Sequence, residues 1–334
     1  MPPPPDPNNT AVRAETLAGQ GRIEQAYRLL EAAVAKGDGL AALTLADWRM
    51  AGALIRRDLA EARRLYGLAA EFGTDEAEPV AIALLANGAG GSGRNWGEAL
   101  AMLNRRAAHD PLARQQAALI GAMALDGEGN PRGETPEREI VHVAPRIERL
   151  PAFLTRDECR YLAELALPRL APSVVFDPRT GEQRQDPVRT AHSTGFPFVV
   201  EDPVLHAINR RIAAATATQT EQGEPLQVLS YRPGQEYKLH SDALPGGDNQ
   251  RVATFLVTLS EGFSGGATSF PRLGLELTGK PGDGLFFVNT DNTGQAESAM
   301  WHAGLPVSQG RKLMLSKWIR EKPLDLSGPP GRPF

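Results

Sequence analysis

Two patterns of apolar positions divide the chain. From residue 11 to about 125, alanine, leucine and arginine dominate, and no stretch alternates apolar with polar as a half-buried strand would. A short motif returns there. Ala26, Ala62 and Ala99 each follow closely on a glutamate (Glu24, Glu61, Glu98), with larger residues three and four positions on: Leu29 and Leu30, Leu65 and Tyr66, Met102 and Leu103. Gly37, Gly73 and Asp110 come eleven positions after the alanines, where each helix should stop. The period of 36 to 37 residues predicts stacked helix-turn-helix units, because small residues at fixed places let paired helices approach closely. The pattern then changes. Asp126 to Glu139 is polar and punctuated by glycine and proline, as a linker is. Ile140 to Leu150 reads as an extended strand, and Phe153 to Leu167 as a helix with Cys159, Leu162, Leu165 and Ala166 on one face. Pro203 to Ala217 reads as a second helix. From Leu226 onward, short β-rich runs alternate with Gly/Pro turns at the spacing of a jelly-roll-like barrel.

These elements predict an α+β protein of two domains. Residues 11–125 form a helical repeat domain, 126–139 a linker, 140–322 a double-stranded β-helix (jelly-roll) domain, and 323–334 a proline-rich tail. A length of 334 residues suits two domains. Hydrophobic residues at 41% and charged residues at 23% are ordinary for a globular chain with a real core. The net charge of −4 excludes nucleic acid as a default partner. A single cysteine, Cys159, excludes an internal disulfide and a cysteine-rich zinc site. Met1 and the prolines after it make no secretory signal, and no run reaches the ~18 apolar residues of a membrane helix. The expected location is the cytoplasm, with no membrane partner.

Within the β-rich half, His240-Ser241-Asp242 is followed by His302 and then by Lys312. Side chains at i and i+2 of a strand point the same way, roughly 7 Å apart at Cα, so His240 and Asp242 can reach one metal. Two histidines and a carboxylate can hold divalent iron on one face and leave three positions open. The second histidine comes from a distant strand, which a barrel permits. On the last strand, Lys312, Met314, Ser316 and Trp318 share one face, and Leu313, Leu315, Lys317 and Ile319 share the other. If the second set packs on the scaffold, Lys312 looks inward and requires an anion there. His109, His142, His192 and His206 have no ligand neighbour at useful spacing, and Asp283 and Asp291 read as turn formers.

The blocks Tyr231 to Asp242, Arg251 to Leu259, Gly265 to Pro271, Lys280 to Phe287 and His302 to Glu321 occur in one order. That order resembles the prolyl 4-hydroxylase family of 2-oxoglutarate- and iron(II)-dependent dioxygenases over about residues 140 to 322. The segment Ala42 to Gly73 looks like a Sel1-type relative of the tetratricopeptide repeat. The first resemblance implies Fe(2+) held by His240, Asp242 and His302. It implies 2-oxoglutarate as co-substrate, its distal carboxylate on Lys312 with the hydroxyls of Tyr231 and Thr268 as further donors. It also implies dioxygen as co-substrate, ascorbate as an accessory reductant, and succinate and carbon dioxide as co-products. The positions matching Tyr237, Arg251 and Trp318 line the entrance where a peptide residue lies. Pro178 to Thr190, ending in Arg189-Thr190, matches the family's lid loop.

The implied activity is hydroxylation of a peptide or protein side chain, with proline favoured and the helical repeat as a docking or self-association platform. Three other readings remain open. One is a hydroxylase of a free amino acid or small metabolite, with the repeats used for oligomerisation. Another is a non-catalytic repeat scaffold. The last is a zinc hydrolase, which leaves Lys312 and Thr268 without a purpose. For Arg251 the plainer alternative is an ion pair with Asp248 or Glu261; for Trp318 it is filling the barrel.

Overall fold

The computed structural model describes residues 9–91, 93–133, 137–176, 183–185, 188–246 and 248–325. The chain divides into two compact units. One comprises residues 1–132, 197–208 and 325–334, the other 133–196 and 209–324.

Among its described residues, the first unit carries the whole of seven α-helices: α1 (Thr10–Gly19), α2 (Ile23–Val34), α3 (Gly39–Ala51), α4 (Leu59–Glu71), α5 (Glu78–Asn87), α6 (Trp96–Arg106) and α7 (Pro111–Ala122). Their starts are written in short polar side chains. Asn9, Asp38, Asp58, Asn95 and Asp110 each accept a hydrogen bond from a backbone N–H of the first turn that has no partner in its own helix. Asp110 thus opens α7, where the repeat pattern expected a stop; α6 has already ended at Arg106. Gly37 and Gly73 both have φ +84°, the left-handed turn that lets the chain leave α2 and α4. The recurring alanines, Ala26, Ala62 and Ala99, are fully buried, and so are Leu30, Leu65 and Leu103 further along the same helices. Small residues at these points are what allow neighbouring helices to pack closely. The core that Ala26, Leu30, Ala62 and Leu65 build also takes in Phe198 and Val199, from a short 3-10 turn (Phe198–Val200). The Asn87 side chain donates to the Phe198 carbonyl. Residues 197–208 therefore group with the helices, although their place in the sequence puts them in the segment 140–322.

The second unit is mostly antiparallel sheet. Ile140 to Leu150, expected as one strand, is a hairpin of β1 (Glu139–His142) and β2 (Ile147–Leu150), because the turn around Pro145 folds the chain back on itself. Helix α8 (Arg156–Ala166) follows. Its start is set by Thr155, whose side chain accepts from the Glu158 N–H while the Glu158 carboxylate accepts from the Thr155 N–H. Next come β3 (Ala171–Pro172), β4 (Val174–Phe176), β5 (Gln183–Gln185), β6 (His192–Phe196) and α9 (Pro203–Thr216), of which the residues from Asn209 on belong to this unit. The remaining strands are β7 (Leu226–Tyr231), β8 (Tyr237–His240), β9 (Arg251–Thr258), β10 (Ser264–Gly265), β11 (Thr268–Phe270), β12 (Leu275–Leu277), β13 (Gly284–Val288), β14 (His302–Gly304), β15 (Val307–Gln309) and β16 (Lys312–Arg320).

Eight strands make the larger sheet in the order β1-β2-β13-β9-β16-β7-β6-β3, and four make the smaller, β12-β11-β14-β8. The pairs β10–β15 and β4–β5 stand apart from both. β16 lies between β9 and β7 and is buried from Lys312 to Ile319, so both of its faces are covered. Ile147, Leu256, Phe270, Leu277, Phe287 and Met314, drawn from both sheets, form one apolar cluster with Met300 from a 3-10 turn (Ser298–Met300). Among the described residues, no helix is long and apolar enough to cross a membrane.

Candidate active site

The cavity of interest lies within the second unit and has a volume of about 490 Å³. The larger sheet contributes Leu229, Tyr231, Leu256, Lys312, Met314, Ser316 and Trp318 to its wall; the smaller contributes Tyr237, His240, Thr268, His302 and Gly304. Alternate residues of β16 face it, as a two-residue side-chain period requires.

Pairing of β14 with β8 puts His302 directly opposite His240, sixty-two positions apart in sequence. Asp242 follows two residues after His240, just beyond the end of β8. One ligand atom from each of the three lies within 4.8 Å of the others, and among the described residues no other group of histidines, cysteines and carboxylates does this. Each Nε2 is 3.5 Å from a different Asp242 oxygen: His240 from Oδ1 and His302 from Oδ2. The other ring nitrogens are already committed. His240 Nδ1 is 2.8 Å from the Lys238 carbonyl and His302 Nδ1 is 3.0 Å from the Met300 carbonyl. A carbonyl only accepts, so each Nδ1 carries a proton, and in the neutral ring the lone pair falls on Nε2. His240 Nε2 is buried and has no hydrogen-bond partner. Buried polar atoms are rarely left so, and a lone pair aimed at two further ligand atoms is suited to a metal ion.

Packing fixes the rings. Tyr237 stacks on His240 at 3.5 Å between centroids, and Phe287 meets the His302 ring edge-on at 4.8 Å. Burial alone would push the Asp242 carboxyl up. Without a metal, positive charge taken up by the His302 and His240 imidazoles and the Thr254 hydroxyl, 2.6 Å away, outweigh burial and hold it well below the usual carboxylate range; a bound cation would supply that charge in their place. His302 moves down chiefly through burial, with the neighbouring His240 adding to this and Asp242 opposing it. Both shifts favour the forms that bind metal, an ionised carboxylate on Asp242 and a neutral imidazole on His302.

Lys312 lies opposite Tyr231 in the β16–β7 pair. It is 5% exposed, which for an ammonium group calls for an explanation. Its Nζ donates to the Gly266 carbonyl at 2.5 Å and lies 5.8 Å from the centre of the Tyr231 ring. Among the described residues no carboxylate is paired with it, and burial pushes the ammonium down to about 8. Thr268, also 5% exposed, lines the same cavity. The sites expected for metal and for co-substrate anion thus share one enclosure.

The remaining expected residues are placed as follows. Trp318 and Tyr237 line the cavity; Arg251 does not. The Arg251 guanidinium lies 3.9 Å from the centre of the Trp318 ring. It is held by Glu224 through two bonds of 2.6 and 2.8 Å, not by Asp248 or Glu261, and Glu224 also holds Arg320. Most of the expected lid, residues 178–190, lies outside the described residues. Its far end is described: Arg189 sits 5.4 Å from the Tyr237 ring centre, and Thr190 exchanges hydrogen bonds with Glu236 beside β8. Asp283 and Asp291 accept backbone N–H bonds in turns. Thr254 and Asn289, behind Asp242, were not singled out by sequence. Thr254 lies four residues from Thr258 and two from Leu256, all on one face of β9, but nothing in that pattern marks it as a partner of Asp242.

A His-x-Asp pair, a distant histidine and a buried lysine that pairs with no carboxylate among the described residues line one cavity, the arrangement of the 2-oxoglutarate- and iron(II)-dependent oxygenases. Residues 226–320 match the family model of the 2OG-Fe(II) oxygenase superfamily. Prolyl 4-hydroxylase 1 of Arabidopsis thaliana is 36% identical over 203 residues, covering 55% of this chain and 72% of the relative. The prolyl 4-hydroxylase subunit alpha-1 of Rattus norvegicus is 32% identical over 208 residues, covering 59% of this chain and 39% of that one. Among solved structures, the viral collagen prolyl hydroxylase of Paramecium Bursaria Chlorella virus-1, in its 2OG complex, is 30% identical. It covers 52% of this chain and 95% of its own, with a TM-score of 0.42. The chain belongs to the prolyl 4-hydroxylase family of iron(II)- and 2-oxoglutarate-dependent dioxygenases. Iron(II) and 2-oxoglutarate are accordingly its cofactor and co-substrate.

Proposed function

We propose that His240, Asp242 and His302 hold iron(II), that Lys312 binds the distal carboxylate of 2-oxoglutarate with help from Tyr231 and Thr268, and that the enzyme hydroxylates prolyl residues of a peptide or protein. One observation carries this reading. Two imidazoles with their Nε2 lone pairs unprotonated and an ionised carboxylate converge in the same cavity as a buried lysine that lacks a counter-ion. When bound, iron(II) and 2-oxoglutarate supply the oxidising chemistry: one atom of dioxygen enters a substrate C–H bond, the other enters succinate, and carbon dioxide leaves. The chain's own residues position and enclose. The Lys238 and Met300 carbonyls fix the tautomers of the two histidines. Lys312 gives up little by pairing with an anion, since it is already out of water.

Tyr237 and Trp318 form the aromatic walls against which a flat pyrrolidine ring would lie. Arg251, backed by Glu224, supports Trp318 from behind. The Arg189-Thr190 end of the expected lid lies against Tyr237 and Glu236, where a covering loop would meet the substrate. The two facing sheets support a double-stranded β-helix, and the buried alanine repeat supports a Sel1/tetratricopeptide-like unit that docks the substrate or a second copy. The proposed location is the cytoplasm, a reducing compartment that would help keep iron divalent.

The test is full-length protein with iron(II), 2-oxoglutarate, ascorbate and a proline-containing peptide, read by mass spectrometry. The expected result is a gain of one oxygen on the peptide with matching succinate. A gain on free amino acids only would move the substrate to small metabolites. No succinate under any condition would leave a scaffold.

A further inference from the structure

The hydrogen-bond chain behind Asp242 has a direction, and one proton sets it. Thr254 on β9 is 1% exposed, and its Oγ1 is 2.6 Å from Asp242 Oδ2. An ionised carboxylate can only accept, and a hydroxyl has a single proton to give, so that proton belongs to Asp242. The hydroxyl oxygen must then be an acceptor towards Asn289, which is 2% exposed. Asn289 Nδ2 lies 3.0 Å from it and Asn289 Oδ1 3.4 Å, so the amide presents its N–H₂ group. The chain runs Asn289 to Thr254 to Asp242, with each member a donor to the next. Neither Thr254 nor Asn289 lines the cavity, so neither has access to substrate or co-substrate.

The two Asp242 oxygens are otherwise alike, each 3.5 Å from one histidine Nε2. Thr254 breaks that symmetry. A short hydrogen bond to an anion is roughly twice as strong as a neutral one and draws electron density on Oδ2 towards the proton. We propose that Thr254, itself oriented by Asn289, reserves Oδ2 and leaves Oδ1 as the single Asp242 oxygen offered to the metal. This inference rests on the reading that His240, Asp242 and His302 bind iron(II). Thr254 is a positioning residue, acting only through Asp242. One-oxygen binding matters because a carboxylate that closed on the metal with both oxygens would take a coordination position that the chelating keto acid or dioxygen needs.

The test uses cobalt(II) on the full-length protein without 2-oxoglutarate or dioxygen, so that turnover plays no part. Affinity is read by calorimetry and coordination by the visible cobalt spectrum. Thr254→Val keeps the shape and removes the donor. It should weaken cobalt binding about 10- to 100-fold, the usual cost of losing an outer partner of a metal ligand, and should alter the spectrum as the second oxygen becomes available. Thr254→Ser restores the donor and should bind and absorb as the wild type does. Asn289→Ala should weaken binding by a smaller factor. Thermal unfolding of the metal-free variants separates a folding defect from a site defect. A Thr254→Val protein with wild-type affinity and spectrum, alongside an Asp242→Ala protein that binds no cobalt, overturns the proposal and leaves the site reading intact. Wild-type protein that binds no cobalt, or Asp242→Ala protein that binds it normally, removes both.

Discussion

A lysine that is almost wholly buried without a carboxylate is the most telling single residue here, because the cost of its position has to be recovered by a ligand. Lys312→Ala removes a charge-assisted anchor worth about 1.5–3 kcal/mol, so the 2-oxoglutarate concentration for half-saturation should rise about 10- to 100-fold. Metal affinity in the absence of co-substrate should be unaffected; a titration of each separates the two. The pH dependence follows from the same burial. The free ammonium titrates near 8, below its ordinary value, because burial disfavours the charge. An anion bound beside it favours the charge and raises that value again. Co-substrate binding therefore takes up a proton above about pH 8. Its affinity should be flat below pH 8 and fall by up to about tenfold per pH unit above it. The Lys312→Ala protein should lose that slope. A wild-type curve that is flat through pH 9 would mean that the lysine does not meet the anion.

Helices that pack through alanine leave no room for anything larger. Ala62 on α4 is fully buried, in a core that also takes in Leu65 and Tyr66 of the same helix. Ala62→Leu should lower stability by about 1–3 kcal/mol, seen as an earlier transition in denaturant, through overpacking and not through any loss of contact. Equal stability would show that the alanine repeat is compositional. This packing was legible because helix period and small residues act locally. The two-residue period of β16 was legible for the same reason: one parity choice places Lys312, Met314, Ser316 and Trp318 together. His240 and Asp242 were visible as neighbours, and His302 only through the order of family blocks. What sequence did not show depends on which strands pair. Glu224 reaches Arg251 over 27 positions, while Asp248, the nearer acid in sequence, does not pair with it. Thr254 and Asn289 meet only because β9 and β13 are neighbours. The turn around Pro145, which makes two strands of the expected one, is a local feature marked by the proline itself, which the interior of a central strand does not accommodate.

At the scale of the molecule, the helical unit does not end where the sequence grammar changes. Phe198 and Val199 belong to the helical core, with Val199 fully buried and Phe198 held through its carbonyl by Asn87. A fragment of residues 140–334 would keep both side chains and lose the helices that cover them. That exposure should cost on the order of 3 kcal/mol and make the fragment less heat-stable and more prone to aggregate than the whole chain. A fragment that melts like the full-length protein would show that the helices are dispensable to it. The activity of such a fragment on a proline peptide is informative only after that measurement, because lost folding and lost docking give the same reading.

The most direct trial of the account is a spectrum. Iron(II) and 2-oxoglutarate, added without oxygen to the full-length protein, should produce a weak visible charge-transfer band when the keto acid chelates an iron held by His240, Asp242 and His302. His302→Ala should abolish the band, and Lys312→Ala should keep it while shifting its 2-oxoglutarate titration to higher concentration. A wild-type protein that gives no band, or a His302→Ala protein that gives the full one, would contradict the assignment.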